Sequence, residues 1–154
     1  MNYEEKLRKY LEEHKSTAEQ LTFPTSCHSV AEAAVAAKTS PEDFIKSIVF
    51  IAESEAVIAI VRGVHKADPQ KVSEYLGKEA RIARPEEVLE KTSYPIGGVP
   101  PVGTGVKTLI DTEVMKQKAV IGGGGSDKAL LKITTEEILR LTGGEIVSVR
   151  KDKP

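Results

Sequence analysis

The sequence predicts an α/β protein with a mixed, barrel-like sheet of about six to eight strands flanked by helices. Capped amphipathic segments alternate with short β-rich runs, two neighbouring runs are separated by only three residues, and helical segments interrupt the others. A three-residue connection favours an antiparallel hairpin, whereas helical insertions permit crossovers between parallel strands. The 154 residues are close to the usual size of one domain, so residues 1–154 are predicted to form a single domain.

Five helical segments are marked by apolar spacing and by capping residues. Residues 3–14 carry apolar side chains at three- and four-residue intervals, which predicts one buried helical face. Ser29 precedes an alanine-rich stretch with Glu32 three residues on, which forms a capping box for a second helix. The other three helices are predicted from their first residues, which are Asp68 with Pro69, Pro85, and Thr134 or Thr135.

Seven runs of β-branched and aliphatic residues between these helices are predicted to be strands. They cover residues 44–52, 56–63, 80–83, 106–111, 118–123, 128–133 and 145–149. In the first run, the two-residue period of a strand places Lys46 on one face with Phe44, Ile48 and Phe50. An ammonium group is costly to bury without a partner, so Lys46 is a candidate for binding an anion. The alternative is a lysine stem that reaches solvent.

The composition excludes several classes of protein. With 22 Lys and Arg against 23 Asp and Glu, the formal charge is -1, which argues against non-specific binding along a nucleic-acid backbone. Any nucleic-acid partner would therefore be bound at a small local site. No run approaches the ~18–20 apolar residues of a membrane span, and the start is charged, so we expect a cytoplasmic protein with no membrane partner. The single Cys27 and the lack of metal-ligand spacing predict no internal disulfide, no metal and no cofactor.

Glycine is concentrated in one part of the chain. Eight of the twelve glycines lie within residues 97–125, and three of the eight prolines lie within residues 95–101. The loop 97–101 (GGVPP) and the run 122–128 (GGGGSDK) could each present backbone N–H groups to an anion or a polarised carbonyl. Neither has the spacing of a phosphate-binding loop, so each also fits a structural turn or bulge.

No hydrolase triad is indicated. The GxSxG pattern is absent, and the three histidines have no suitably spaced carboxylate. Cys27 and His28 are adjacent, and adjacent residues of an extended segment point to opposite faces, so Cys27 is not predicted to be a nucleophile. His28 precedes the second helix and is either a boundary residue or part of a pocket.

Several segments, in order and over nearly the whole chain, resemble the YbaK and prolyl-tRNA synthetase-associated editing domains. They are HSVAEAAVAAKTSPEDFIKSIVF, GGVPPVG, IDTEV and IGGGGSDKALLKITTEEI. The resemblance implies the fold of that family and a site in which Lys46, Gly97 and Gly98 are catalytic. It also implies substrate-binding roles for His28, Ser29, Ser47, Val99, Pro101, Gly123, Gly124, Ser126 and Asp127.

The resemblance further implies a deacylase that acts in trans on wrongly charged tRNA, usually Cys-tRNA(Pro) or Ala-tRNA(Pro). The partner would be the aminoacylated CCA end of tRNA, with prolyl-tRNA synthetase as a second candidate partner. Such a domain would position an ester that is already activated and stabilise its oxyanion, without a triad. Lys46 would bind the terminal adenosine phosphate or ribose, and the amides of Gly97 and Gly98 would hold the aminoacyl group.

Two further expectations concern the GGVPP loop. We expect Gly97 and Gly98 to leave room for a small amino-acid side chain. Pro100 stands where the family often has serine, which leaves open a non-catalytic module that binds tRNA or a synthetase through the same fold. An unrelated hydrolase of small esters is a third alternative, and it would act without tRNA.

Overall fold

The computed structural model describes residues 2–24, 26, 34 and 40–152 of the chain. Apart from Ala34, the predicted second helix lies outside these residues, and so do Cys27, His28 and Ser29. The other four predicted helices are present, and two short 3-10 turns are added at Pro41–Asp43 and Val114–Lys116. The helices are α1 (Tyr3–Glu13), α2 (Pro69–Leu76), α3 (Pro85–Thr92) and α4 (Thr135–Thr142).

Local caps fix where the helices begin, as the sequence predicts. The Asp68 side chain accepts a hydrogen bond from the N–H of Gln70 at the start of α2, and Thr134 accepts from the N–H of Glu137 at the start of α4. Glycines in the left-handed conformation end both helices. No helix in the described ranges is long and apolar enough to cross a membrane.

Eight strands form in the described part of the chain, one more than predicted. They are β1 (Glu19–Thr22), β2 (Ile45–Ala52), β3 (Glu55–Arg62), β4 (Ala80–Ile82), β5 (Lys107–Ile110), β6 (Ala119–Gly123), β7 (Ala129–Thr134) and β8 (Glu145–Ile146). The additional strand is β1, whose sequence EQLT is mostly polar and has no apolar run to mark it. β8 ends three residues before the predicted boundary, because the N–H of Val149 donates to the Asp111 side chain rather than to a neighbouring strand.

The strands form two sheets. One has three antiparallel strands in the order β1-β7-β6, and the other has five strands in the order β4-β2-β3-β5-β8. In the larger sheet β2 is antiparallel to β3 and β4, whereas β3 and β8 are parallel to β5. The mixed α/β class is therefore confirmed, and the strands are divided between two sheets rather than closed into one barrel. A parallel bridge between Phe44 and Ile121 links the sheets where β2 begins.

Apolar side chains divide into an interior and two outer faces. The interior core lies between the sheets and takes Ile45 and Val49 from β2 and Leu131 from β7. The outer core of the larger sheet includes Phe50 and Val61, with Val72 of α2 against it. The outer core of the smaller sheet consists of Ala34, Phe44, Ile121 and Leu130. Neighbouring residues of β2 therefore face opposite sides, which matters for Lys46 and Ser47.

Candidate active site

The two glycine-rich segments predicted from the sequence pack directly against each other. We call the contact between Gly97–Pro101 and Gly122–Ser126 the glycine junction. The N–H of Gly98 donates to the Pro95 carbonyl at 3.0 Å, which closes a turn. The Gly98 carbonyl then accepts from the N–H of Gly125 at 2.8 Å. Two segments about twenty-five residues apart in the sequence are thus joined through their backbones.

The glycine junction leaves no space for a β-carbon on Gly98 or Gly123. A Cβ on Gly98 would lie 2.7 Å from the carbonyl carbon of Gly125, and one on Gly123 would lie 2.3 Å from the Val99 oxygen. Both distances are shorter than van der Waals contact and involve backbone, which cannot rotate away. The expectation that Gly98 leaves room for an amino-acid side chain is therefore wrong, because the backbone of Gly125 and Ser126 fills that space.

The amides of the first segment differ in what they can bind. The N–H of Gly98 is committed to the turn with Pro95, so it does not fit the predicted role of holding the aminoacyl group. The N–H groups of Gly97 and Val99 donate to no group in the described part of the chain. Gly97 is exposed and has a φ of 88°, in the left-handed region that favours glycine. Gly97 and Val99 are therefore the amides with which this segment could meet a ligand.

Lys46 reaches the same edge of the molecule from β2. Phe44 and Ile121 form the parallel bridge between the sheets, and both side chains lie in an outer core. Lys46 and Gly123 each follow that bridge by two residues, so both face outward. The Val99 carbonyl lies against Gly123. The structure thus brings Lys46 and the glycine junction together on the outer face where the two sheets meet.

The charge of Lys46 is poorly compensated. Its side chain is half-buried, and it forms no ion pair with any residue that the structure describes. Burial, and to a lesser extent the positive charge of Lys66, lower the pKa of Lys46. Both effects disfavour an isolated ammonium group, whereas a bound anion would favour the charged form and raise the pKa of Lys46. This environment suits the binding of a phosphate or another anionic group next to the glycine junction.

Ser47 is not brought together with Lys46. It pairs across the sheet with Ile60 of the interior core, whereas Lys46 pairs with Val61 of the outer core. The Ser47 hydroxyl is buried and has no hydrogen-bond partner among the described residues. The predicted substrate-binding role of Ser47 therefore has no support from its orientation, which is toward the interior.

Ser126 and Gly124 have roles inside the fold. The Ser126 hydroxyl donates to Glu4 of α1 at 2.8 Å and accepts from the N–H of Lys128 at 3.1 Å. The Gly124 carbonyl accepts from the Gln20 side chain at 2.9 Å. Sequence reasoning missed Glu4 and Gln20, since both lie more than one hundred residues away and neither belongs to a motif.

The remaining predicted residues lie around the same junction. Pro101 is buried, and its Cδ would be 3.1 Å from a Cβ on Gly122, so Pro101 closes the interior side. Asp127 is half-buried and follows Ser126 directly. Among the described residues, no group of three or more His, Cys, Asp or Glu side chains is arranged to hold a metal ion.

The chain is similar to known proteins over most of its length. A family described as the aminoacyl-tRNA editing domain matches residues 25–141. The uncharacterized protein YwhH of Bacillus subtilis is 32% identical over 134 residues, which cover 84% of this chain and 85% of YwhH. The solved structure of a candidate trans-editing enzyme for prolyl tRNA synthetase is 31% identical, with a TM-score of 0.88 and 98% of both chains covered.

A longer relative is the proline–tRNA ligase of Thermotoga neapolitana. It is 30% identical over 114 residues, which make up 73% of this chain and 20% of the ligase. The chain therefore spans about a fifth of the length of the ligase that it matches.

Proposed function

The chain belongs to the aminoacyl-tRNA editing domain family, and from this premise we propose that it is a deacylase of mischarged tRNA. Its substrates would be Cys-tRNA(Pro) or Ala-tRNA(Pro), and it would act in trans. One observation carries the proposal: Lys46 and Gly123 each follow the Phe44–Ile121 bridge by two residues, and Gly123 packs against the Gly97–Pro101 segment, in which the N–H groups of Gly97 and Val99 have no acceptor among the described residues. The likeness to a candidate trans-editing enzyme over 98% of both chains supports action in trans.

The backbone amides would supply the electrostatic part of catalysis. Hydrolysis of an aminoacyl ester places negative charge on the carbonyl oxygen, and preorganised N–H donors stabilise that charge. The N–H groups of Gly97 and Val99 are such donors, and the junction beneath them is held rigid by the Gly98 to Gly125 hydrogen bond. The ester is already activated, so a held water, the neighbouring ribose hydroxyl or the thiol of a cysteine substrate can be the nucleophile.

Lys46 would hold the tRNA end rather than attack it. Lys46 lies on the same outer face as Gly123 of the glycine junction, and it has no carboxylate partner in the described chain. The terminal adenosine of an acceptor end carries a phosphate within a few bonds of the ester. An ion pair between Lys46 and that phosphate would fix the ester over the amides, which is a positioning effect on the transition state.

The need for such an enzyme follows from the limits of selectivity. A synthetase pocket distinguishes side chains that differ by about one methylene by only ~1–3 kcal/mol, which is too little for accurate translation. A second site that admits only smaller residues removes the error. Alanine and cysteine are small enough for such a site, whereas the ring of proline is bulkier.

A deacylation assay tests the proposal. tRNA(Pro) charged with alanine, cysteine or proline is incubated with the protein, and the remaining ester is measured over time. The proposal requires hydrolysis of the alanyl or cysteinyl ester and sparing of the prolyl ester. Tight tRNA binding without hydrolysis would instead identify a non-catalytic module, and hydrolysis of simple esters without tRNA would identify a hydrolase of small molecules.

A further inference from the structure

A cavity lies between α1 and the segment 103–108, apart from the glycine junction. Its volume is about 550 Å³. Resting on the proposed function, we infer that this cavity binds a backbone phosphate of tRNA a few nucleotides from the aminoacylated end. We call it the α1 cavity, and its lining residues used below are Lys6, Tyr10, Ser93, Gly103, Gly105 and Lys107.

The α1 cavity is positively charged. Lys6 and Lys107 line it, and no aspartate or glutamate is among its lining residues. Lys107 is partly neutralised by Glu145, at 3.1 Å. The Nζ of Lys6 is 3.5 Å from the Ser93 carbonyl oxygen and 5.0 Å from the centre of the Tyr94 ring. These neutral groups orient the ammonium without cancelling its charge, so Lys6 remains available to an anion.

Backbone donors face the same space. Gly103 and Gly105 are left-handed, with φ values of 85° and 72°, whereas Thr104 between them has no positive φ. The backbone handedness thus alternates along this turn, a pattern that directs successive N–H groups toward one side. The N–H groups of Gly103, Thr104 and Gly105 donate to no group in the described residues. Unpaired amides beside an uncompensated lysine match the chemistry of a phosphate group, which accepts several hydrogen bonds and carries negative charge.

The α1 cavity lies along one helix from the candidate active site. At the start of α1, the Tyr3 carbonyl would lie 2.9 Å from a Cβ on Gly125 of the glycine junction. Further along α1, the Tyr10 ring would lie 3.1 Å from a Cβ on Gly103. Seven residues separate Tyr3 from Tyr10, which is about 10 Å along a helix axis. A few nucleotides span that distance, so one strand end could contact both places.

An aromatic side chain stands where α1 meets the glycine junction. Tyr3 is 40% exposed, although its ring also contacts Tyr94 with the centroids 6.2 Å apart. Proteins that bind single-stranded ends combine such exposed rings, on which bases stack, with lysines that meet the phosphates. The order Tyr3, Lys6, Tyr10 along one flank of α1 therefore favours nucleic acid over a free phosphate ion as the occupant.

Two lysines of α1 provide a matched test. Lys6 lines the cavity, whereas Lys9 is another exposed lysine of the same helix that lies near Glu13 and does not line it. Binding of uncharged tRNA(Pro) is measured for Lys6→Ala and Lys9→Ala over a range of salt. We expect Lys6→Ala to raise Kd about five- to tenfold and to reduce the salt slope by about one, with less than about a twofold change for Lys9→Ala. Equal effects of the two substitutions, or no effect of Lys6→Ala, would overturn the inference.

A second pair of variants tests the charge of the α1 cavity without a change in helix α1. Ser93 has a φ of 66°, which aspartate and asparagine both tolerate. Ser93→Asp places a carboxylate beside Lys6, and Ser93→Asn is the neutral control of the same shape. The aspartate variant should weaken tRNA binding while the asparagine variant keeps it; equal binding by both would count against the cavity.

The readouts separate this inference from the proposed function. Binding of uncharged tRNA does not require hydrolysis, so the Lys6 effect can be present in a protein that deacylates nothing. In that case the proposed function fails and the cavity stands. If mischarged tRNA is hydrolysed and Lys6→Ala changes neither KM nor Kd, the function stands and the cavity assignment fails. A competing effect of inorganic phosphate equal to that of tRNA would identify an ion site instead and overturn the assignment.

Discussion

The glycine junction and the cluster around Asp111 each join parts of the chain that are far apart, but they use opposite means. At the glycine junction, Gly98 meets Gly123 and Gly125 through backbone alone. At the end of β5, the fully buried Asp111 accepts hydrogen bonds from the N–H groups of Val149 and Arg150 and from the Arg150 guanidinium. No side chain takes part where Gly98 meets Gly123 and Gly125, whereas the second junction depends on one buried charge.

The difference shows which junction is available for chemistry. Both oxygens of Asp111 are satisfied, since the N–H of Glu113 also donates to it, so this cluster has no capacity for a ligand. The glycine junction leaves the amides of Gly97 and Val99 unpaired within the described chain, next to Lys46. We therefore expect substitutions at Asp111 to reduce stability alone, those at Lys46 to reduce activity alone, and those at Gly98 to reduce both.

The largest effect is expected for Asp111→Ala. It removes a buried acceptor and leaves three backbone N–H groups and Arg150 without their partner, which should cost roughly 3–5 kcal/mol of unfolding free energy. Urea unfolding measures this loss. Asp152→Ala is the control, because Asp152 is 85% exposed although it also pairs with a cation, Lys71, and its loss should leave the unfolding free energy nearly unchanged. Similar losses in both variants would contradict the contrast between the two junctions.

The next effect is expected for Lys46→Ala, on activity. Deacylation should fall about a hundredfold or more, because the proposed ion pair between Lys46 and the terminal phosphate holds the ester in place in the transition state. The melting temperature should stay within a few degrees, since Lys46 has no ion pair in the described residues to lose. Lys132→Ala, at an exposed position of β7, should keep full activity. Full activity of the Lys46 variant would exclude it from the site.

Gly98→Ala should affect both properties, because its Cβ would collide with backbone at 2.7 Å. We expect a loss of about 1–3 kcal/mol in stability, typical of overpacking, together with lower deacylation as the two segments separate. Gly77→Ala is the control: its φ of 70° is unfavourable, but nothing lies within 4 Å of the added carbon. The control should lose about 1 kcal/mol of stability and no activity. An active, stable Gly98 variant would show that the junction tolerates displacement.

The smallest effect concerns pH and extends the comparison to a second charged cluster. The Arg140 guanidinium, together with the Thr17 N–H and the Ser16 hydroxyl, lowers the pKa of Glu137 to about 2. Because the unfolded pKa is about 4.3, the stability contributed by Glu137 is fully present above that value and is lost as the pH falls toward 2. Glu137→Gln should be less stable at neutral pH by about 1 kcal/mol and should lose less on acidification. Urea unfolding at neutral and acidic pH measures how the unfolding free energy of each protein changes with pH. An equal change in the wild type and in the Glu137 variant would contradict the assignment.

Much of the fold and part of the site follow from local sequence. The starts of α2 and α4 are set by Asp68 and Thr134, whose side chains bond to N–H groups only two or three residues ahead. The predicted strands form because apolar residues recur in short runs. The two glycine segments and Lys46 are also visible as a pattern, and the structure places them at one edge. The caps, the strand runs and each glycine segment taken alone involve residues that are close together in the chain.

Only the tertiary structure distinguishes residues that look alike in the sequence. Gly97 and Gly98 are adjacent glycines, yet Gly97 is exposed with an N–H that meets no acceptor among the described residues, and Gly98 is packed against Gly125. The bond from Ser126 to Glu4 joins residues 122 positions apart, and no local pattern indicates it. The physical reason is that capping and periodicity act over a few residues, whereas the space around a glycine is decided by which distant backbone packs onto it.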